Sequence, residues 1–387
     1  VISPVPEQKT RFTLLFEALE NVHLHKDVGQ IPFQMQKYFG YRSQIVCRQN
    51  EERYNYLDRE LQGLDLRFIK TSPLLFLLKH ATEIDVLMLF HVKTESIYAT
   101  LLYKLLNPAG IVYVKYDLPD KDLLYAAWGN RNLISQFKRN LLFKLFVRKL
   151  DIFSVECRQV YDALTRIPAA KKIHIPNGFD PGIAACYGVT PKRYEEKENI
   201  ILLVGRHGSR QKNSELILQV LERIRDIGDW QLFFIGPMTD EFRSIKNAFL
   251  DTHPHYREKI HFPGNISDKK VLFEYYNRAK IFCLPSRWEG FPLVGPEALY
   301  FGNVLVMTRE VEASHDLTGD DSIGFRAASE NVTEWSETLN MLLHDQELLS
   351  NYSQRAQVYF STNLVWKNIL QDLHSRIVAT KAASLPF

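Results

Sequence analysis

The stretch NIILLVGRHGSRQKNSELILQVL, residues 199–221, decides the fold. Ile200 to Val204 is apolar without alternation, the mark of a strand covered on both faces of a parallel sheet. Gly205 ends the strand, Arg206 follows, and Lys212 stands just before a helix that Asn213 or Ser214 can cap. Two cations and a helix N-terminus at the end of a parallel strand suit a phosphate-bearing ligand. Solvated Arg and Lys are equally common in such loops, so this loop alone does not decide a function.

The same pattern repeats outward in both directions. Upstream lie FTLLFEAL, SQIVCR, DLRFI, DVLMLFHV, GIVYVKY, IFSVE and KIHIPN; downstream lie WQLFFIG, KIHFPG, AKIFCLP, NVLVMT and SIGFRA. Most are continuous apolar runs separated by helix-length segments, which predicts doubly wound α/β architecture built twice. A chain of 387 residues is too long for one ordinary core, which agrees. The Gly- and Pro-rich, then charged, stretch between the two series reads as the linker. The expected division is a first Rossmann-like domain over 1–180, a linker over 181–198 and a second domain over 199–361. A final helix over 362–387 follows, its stripe formed by Leu364, Val365, Ile369, Leu373 and Ile377. No GxGxxG occurs, which disfavours a nicotinamide or flavin dehydrogenase.

A second informative stretch is SRWEGFPLVGPEAL, residues 286–299. It carries Glu289 and Glu297 in the turn between a predicted strand and a short helix. That spacing by itself is cheap, since Glu52 and Glu60 share it. The setting matters more: Gly290 and Gly295 permit a tight turn, and Pro296 suits a helix start. Glu297 then falls in the first turn, where a carboxylate is favoured, and Glu289 stands in the loop.

Taken together and in order, IPNGFD (175–180), GRHGSRQKN (205–213), SRWEGFPLVGPEAL and YFGNVLV resemble family 4 retaining glycosyltransferases of the GT-B fold, of bacterial cell-surface glycan type. The match is strongest from about residue 150 to 345. The resemblance implies two Rossmann-like domains facing a cleft, with the C-terminal helix crossing back to the first. It implies that Arg206 and Lys212 hold the donor diphosphate and that Glu289 contacts the transferred sugar. Glu297 would bind the ribose, with Gly205, Gly290, Phe291, Leu293 and Val294 lining the donor site. Gly29 would bring its backbone to the donor phosphate, and Asp27, His91, Tyr116 and Asp117 are cleft or acceptor candidates. Pro292, Val304 and the stretch REVEASHDLTG depart from the family pattern, which bears on the donor sugar more than on the reaction class. The donor substrate would be a nucleotide-diphosphate sugar, with no metal or other cofactor, and the acceptor a glycan or lipid-linked saccharide. The product would belong to lipopolysaccharide, capsule or exopolysaccharide. The rival readings are a degenerate nucleotide-sugar-binding subunit of a transferase complex and a GT-B sugar-nucleotide epimerase.

The remaining composition narrows the partners. Net charge is +3, so nothing pulls the whole chain toward nucleic acid. Four cysteines with no CxxC pair suggest ordinary thiols in a reducing compartment. The opening VISPVPEQKTRFTLLFEALEN lacks the basic start and apolar core of a signal peptide, and no apolar run is long enough to span a bilayer. Residues 123–150 contain six Lys or Arg, no Asp or Glu, and interleaved aromatics. A core helix with a solvated basic rim is one reading of that segment. The other is contact of residues 131–149 with an anionic membrane, placing a cytoplasmic protein on the inner face of the cell membrane.

Overall fold

The computed structural model describes residues 9–117 and 133–384. The chain forms two compact units. The first comprises Val1–Glu156, Val160–Asn177 and Trp366–Phe387; the second comprises Cys157–Gln159 and Gly178–Val365.

The first unit is built on strands β1 (Arg11–Leu15), β2 (Arg42–Cys47), β3 (Asp65–Phe68), β4 (Val86–Phe90), β5 (Ile111–Tyr116), β6 (Ile152–Val155) and β7 (Lys172–His174). They form one seven-stranded sheet in the order β3-β2-β1-β4-β5-β6-β7. Every pairing is parallel. β4 and β5 are buried at every residue, as continuous apolar runs covered on both faces must be. β3 reads DLRF, is only partly covered and takes the edge, where charged side chains discourage further pairing.

The second unit repeats the design with β8 (Ile200–Val204), β9 (Gln231–Ile235), β10 (Ile260–Gly264), β11 (Ile281–Leu284), β12 (Val304–Thr308) and β13 (Gly324–Ala327). Its six strands run β10-β9-β8-β11-β12-β13, again all parallel. Strand order reverses between β1 and β4 in one sheet and between β8 and β11 in the other. In open parallel sheets the crevice beyond the strand C-termini at such a reversal is where ligands bind.

Residues 181–198, read above as a linker, are ordered within the second unit. Asp180 caps the helix Pro181–Cys186 through the Gly182 N–H at 2.8 Å. Asn277 then fastens the following stretch by accepting from Lys192 N and donating to Thr190 O. The long helical tail also breaks in a particular place. The helix Gln346–Asn363 ends at Leu364, and Phe179 N donates to Leu364 O at 2.9 Å beside a parallel bridge between Phe179 and Val365.

From Trp366 the chain crosses into the first unit as the helix Trp366–Ser384. Trp366, Ile369, Leu370, Leu373 and Ile377 are buried in that unit's core. Tyr41 Oη lies 3.1 Å from His374 Nδ1, and Lys381 Nζ donates to Thr10 Oγ1 at 2.9 Å. The crossing is as expected, but its stripe begins at Trp366, with Leu364 and Val365 left in the second unit. No described helix is long and apolar enough to cross a membrane.

Candidate functional site

In the second unit, the two stretches singled out from sequence follow β8 and β11, the strands flanking the reversal. The loop after β8 runs through Gly205, Arg206, Gln211 and Lys212; the loop after β11 carries Trp288 and Glu289. Lys212 Nζ lies 2.5 Å from Glu289 Oε1, and Gln211 Nε2 donates to Glu289 Oε2 at 3.2 Å and to Trp288 O at 3.0 Å. Arg287 ties the loops from the other side: its N–H donates to Gln211 O at 2.8 Å and its side chain to Arg210 O at 2.7 Å.

These groups border a cavity of about 400 Å³ lined by Gly205, Arg206, Gln211, Lys212, Gly236 and Glu289, together with Asn265, Ile266 and Leu272. Glycine is required at one point here. A Cβ on Gly236, whose φ is +134°, would sit 1.9 Å from Gly205 O, so β8 and β9 can end side by side only without one. At Gly205 a Cβ would lie against the Lys212 stem. Arg206 is exposed and lines the cavity. His207 next to it is buried; burial lowers its imidazole to about 4, and its Nδ1 lies 2.9 Å from Ser214 Oγ. It supports the loop as a neutral ring and does not line the cavity.

Glu297 is placed differently from Glu289. It lies in the helix Val294–Tyr300, is buried, and its Oε2 accepts from Tyr276 Oη at 3.0 Å. It is absent from the cavity lining. Burial and the nearby carboxylate push the Tyr276 phenol well above its ordinary value, so it remains the donor. Gly290 is half-buried and Phe291 buried, while Leu293 caps the helix and Val294 is its first residue.

In the first unit, Asp27 opens the helix Asp27–Phe39 and is buried. Its Oδ2 has no hydrogen-bond partner and lies 3.8 Å from Lys115 Nζ. Burial raises this carboxyl to about 6 against the opposing pull of Lys115. Lys115, fully buried on β5, donates to Ile175 O at 2.6 Å and stands 3.9 Å from Glu156 Oε2. Gly29 sits inside the helix rather than in a loop. A Cβ there would meet Leu24 O at 2.2 Å, so its glycine serves a close approach between two helices.

Tyr116 ends β5, buried and stacked on Phe153 with ring centroids 5.8 Å apart. His91 follows β4 at φ +58°, a backbone state costing a residue with a Cβ on the order of 1–3 kcal/mol. Its Nδ1 is 2.6 Å from Asp117 Oδ1, a close pairing of imidazole and carboxylate. Burial pushes the Asp117 carboxyl up, but His91 outweighs it and holds the group below the usual range.

Lys115, Glu156 and Gln211 were not among the residues picked from sequence. A lone cation inside the apolar run GIVYVKY is the signal that could have found Lys115; nothing local marks Gln211. Among the described residues no group of three His, Cys, Asp or Glu is arranged to hold a metal.

Comparison with known proteins agrees with the motifs. Residues 190–359 match the family model of glycosyl transferases group 1. Over 180 residues the chain is 28% identical to an uncharacterized glycosyltransferase of Haemophilus influenzae, covering 45% of this chain and 49% of that protein. Over 171 residues it is 27% identical to the Campylobacter jejuni "GalNAc-alpha-(1->4)-GalNAc-alpha-(1->3)-diNAcBac-PP-undecaprenol alpha-1,4-N-acetyl-D-galactosaminyltransferase", covering 42% and 44%. The chain thus spans about half the length of the curated relatives it matches.

Among solved structures, Anabaena Alr3699/HepE in complex with UDP superposes with TM-score 0.70 at 13% identity, covering 96% of this chain and 100% of that one. Sucrose-phosphate synthase from Thermosynechococcus elongatus does so at 0.66 and 15%, covering 97% and 100%. At such identities the likeness establishes the fold, which is GT-B. The resemblance to bacterial surface-glycan glycosyltransferases of this type, drawn from the motifs, is borne out over the second unit.

Proposed function

We propose that this chain is a retaining glycosyltransferase. It takes a sugar from a nucleotide-diphosphate donor held in the second unit and passes it to a lipid-linked glycan during bacterial surface-glycan synthesis. The observation that carries the reading is the cavity at the β8/β11 reversal, where Arg206, Lys212 and Glu289 meet. Cleavage of the sugar–phosphate bond leaves negative charge on the diphosphate, and fixed cations lower the barrier by meeting that charge as it develops. Arg206 and Lys212 supply two. Glu289 holds the Lys212 ammonium in place and presents a carboxylate toward the sugar.

In a front-face reaction the anomeric C–O bond to phosphate breaks, and the acceptor oxygen bonds to the same face. The acceptor proton passes to the leaving phosphate oxygen. Paired carboxylates spaced for a glycosidase are not needed. The lipid-linked acceptor is supported by the Campylobacter relative, whose name gives a PP-undecaprenol-linked saccharide. Contact with an anionic membrane surface is supported by the helix Leu133–Lys149, where exposed Leu141 and Leu145 lie among exposed Lys138, Lys144, Arg148 and Lys149. The test is release of nucleoside diphosphate from UDP-, GDP- and ADP-sugars by the purified chain. Wild type should turn over one of them, and Arg206→Ala/Lys212→Ala should not; full activity in that variant overturns the reading.

A further inference from the structure

Gln211 lines the second unit's cavity, yet its amide is not free to meet a ligand there. Its Nε2 carries two N–H groups, and both are taken by the loop after β11: one by Glu289 Oε2 at 3.2 Å, the other by Trp288 O at 3.0 Å. A carboxylate and a peptide carbonyl can only accept, so the amide nitrogen, not its oxygen, must face them. No N–H is left to donate to a diphosphate. Whatever Gln211 does for a ligand in this cavity, it does through Glu289.

The two loops do not need this amide to stay together. Arg287 N donates to Gln211 O at 2.8 Å, its Nη1 to Arg210 O at 2.7 Å and its Nε to Glu330 Oε1 at 2.6 Å. That clamp grips the loop after β8 by its backbone. The Gln211 side chain adds something the clamp does not, a second anchor for one carboxylate.

The two anchors of Glu289 differ in kind. Oε1 pairs with the Lys212 ammonium at 2.5 Å and Oε2 with the neutral Gln211 amide, and both come from adjacent residues of one loop. In the transferase reading, on which this inference rests, the donor diphosphate takes up the same ammonium. A diphosphate carries more negative charge than one carboxylate and attracts the cation more strongly. As Lys212 is drawn toward the phosphates, Glu289 keeps a full charge at a side chain only 10% exposed and loses its closest partner. The amide carries no net charge, is fastened to Trp288 O as well, and stays where it is.

We propose that Gln211 is a positioning residue: it holds the Glu289 carboxylate toward the transferred sugar while Lys212 serves the departing diphosphate. Two neighbouring side chains thereby serve two parts of the donor at once.

The test uses the purified whole chain and whichever of the UDP-, GDP- and ADP-sugars it turns over, followed by release of nucleoside diphosphate. Gln211→Met keeps the length of the side chain and removes both N–H groups. Its kcat at saturating donor should fall about tenfold to a hundredfold, the scale of one hydrogen bond to a charged group. Its affinity for the bare nucleoside diphosphate, read by titration calorimetry, should stay within about threefold of wild type. Glu289→Gln and the pair Gln211→Met/Glu289→Gln complete a cycle. A residue acting only through Glu289 adds nothing once that carboxylate is gone, so the pair should be no slower than Glu289→Gln alone. Wild-type kcat in Gln211→Met, a loss of nucleotide affinity as large as its loss of kcat, or losses that multiply in the pair would each overturn the inference. Any of these beside a wild type that still releases nucleoside diphosphate leaves the transferase reading standing. A wild type that turns over none of the donors overturns that reading and this inference with it.

Discussion

Replacing Lys212 by Ala takes the ammonium out of the second unit's cavity, and the structure sets two separate consequences. The first is chemical. Losing one preorganised group that meets developing charge slows the chemical step by roughly 10²–10³, about 2.7–4 kcal/mol of barrier. The second is structural. Nζ lies 2.5 Å from Glu289, and the two side chains are only 18% and 10% exposed. Without the lysine, Glu289 keeps Gln211 at 3.2 Å but loses its cation. An under-satisfied buried polar group costs on the order of 1–3 kcal/mol, and the surviving bond puts this case near 1. Adding Glu289→Gln removes the unpaired charge, so the double variant should regain most of that stability and remain inactive. Nucleoside diphosphate release at saturating donor reads the first effect and urea unfolding the second. Turnover by Lys212→Ala within about threefold of wild type would refute the role in catalysis. A double variant no more stable than the single would refute the pairing.

Glu297→Ala should destabilise the second unit by about 1–3 kcal/mol, because Tyr276 Oη is left without its acceptor; calorimetric melting checks this, and Tyr276→Phe/Glu297→Ala should cost less than the single change. Glu289→Ala loosens Lys212 without removing it, so it should weaken binding of a bare nucleoside diphosphate less than Lys212→Ala does while damaging sugar transfer; a loss of nucleotide affinity in titration calorimetry as large as that of Lys212→Ala counts against that division. Burial pushes the Asp27 carboxyl up to about 6 from its ordinary value of 3.8, so the folded state holds the extra proton between those values. Stability therefore falls by about 3 kcal/mol as pH rises from about 4 to above 6, and Asp27→Asn should flatten that slope; urea midpoints showing the same pH dependence in both proteins would contradict it. Leu373→Ala, in the core of the crossing helix, should cost about 2–5 kcal/mol, read as a shifted unfolding midpoint of the first unit.

The strands of the described residues were expected from the sequence, most plainly the central ones such as β4 and β5, because a parallel strand covered on both faces must be apolar at nearly every residue, and that composition is visible locally. Arg206, Lys212 and Glu289 were legible for a related reason: each lies just beyond a strand end, where sheet topology rather than distant packing decides position. Glu297 was only half legible. Its place in the first helical turn was readable, but its bond to Tyr276, 21 residues upstream, depends on how two helices pack. That residues 181–198 are fastened down was not legible, because Gly- and Pro-rich sequence marks turns, and turns also occur in chain held by side chains such as Asn277. Gly29 shows the same limit: its φ is not what requires glycine, and the nearness of Leu24 appears only in three dimensions.

The central claim is that the second unit's cavity holds the diphosphate of a nucleotide sugar. Titration calorimetry of the whole chain with UDP, GDP and ADP, beside the Arg206→Ala/Lys212→Ala variant, reads it directly. The account predicts that wild type binds one of these nucleotides and that the variant loses roughly a hundredfold or more in affinity, the scale of two charge-assisted hydrogen bonds. Equal affinity in the two proteins, or no binding of any of these nucleotides by wild type, would contradict it.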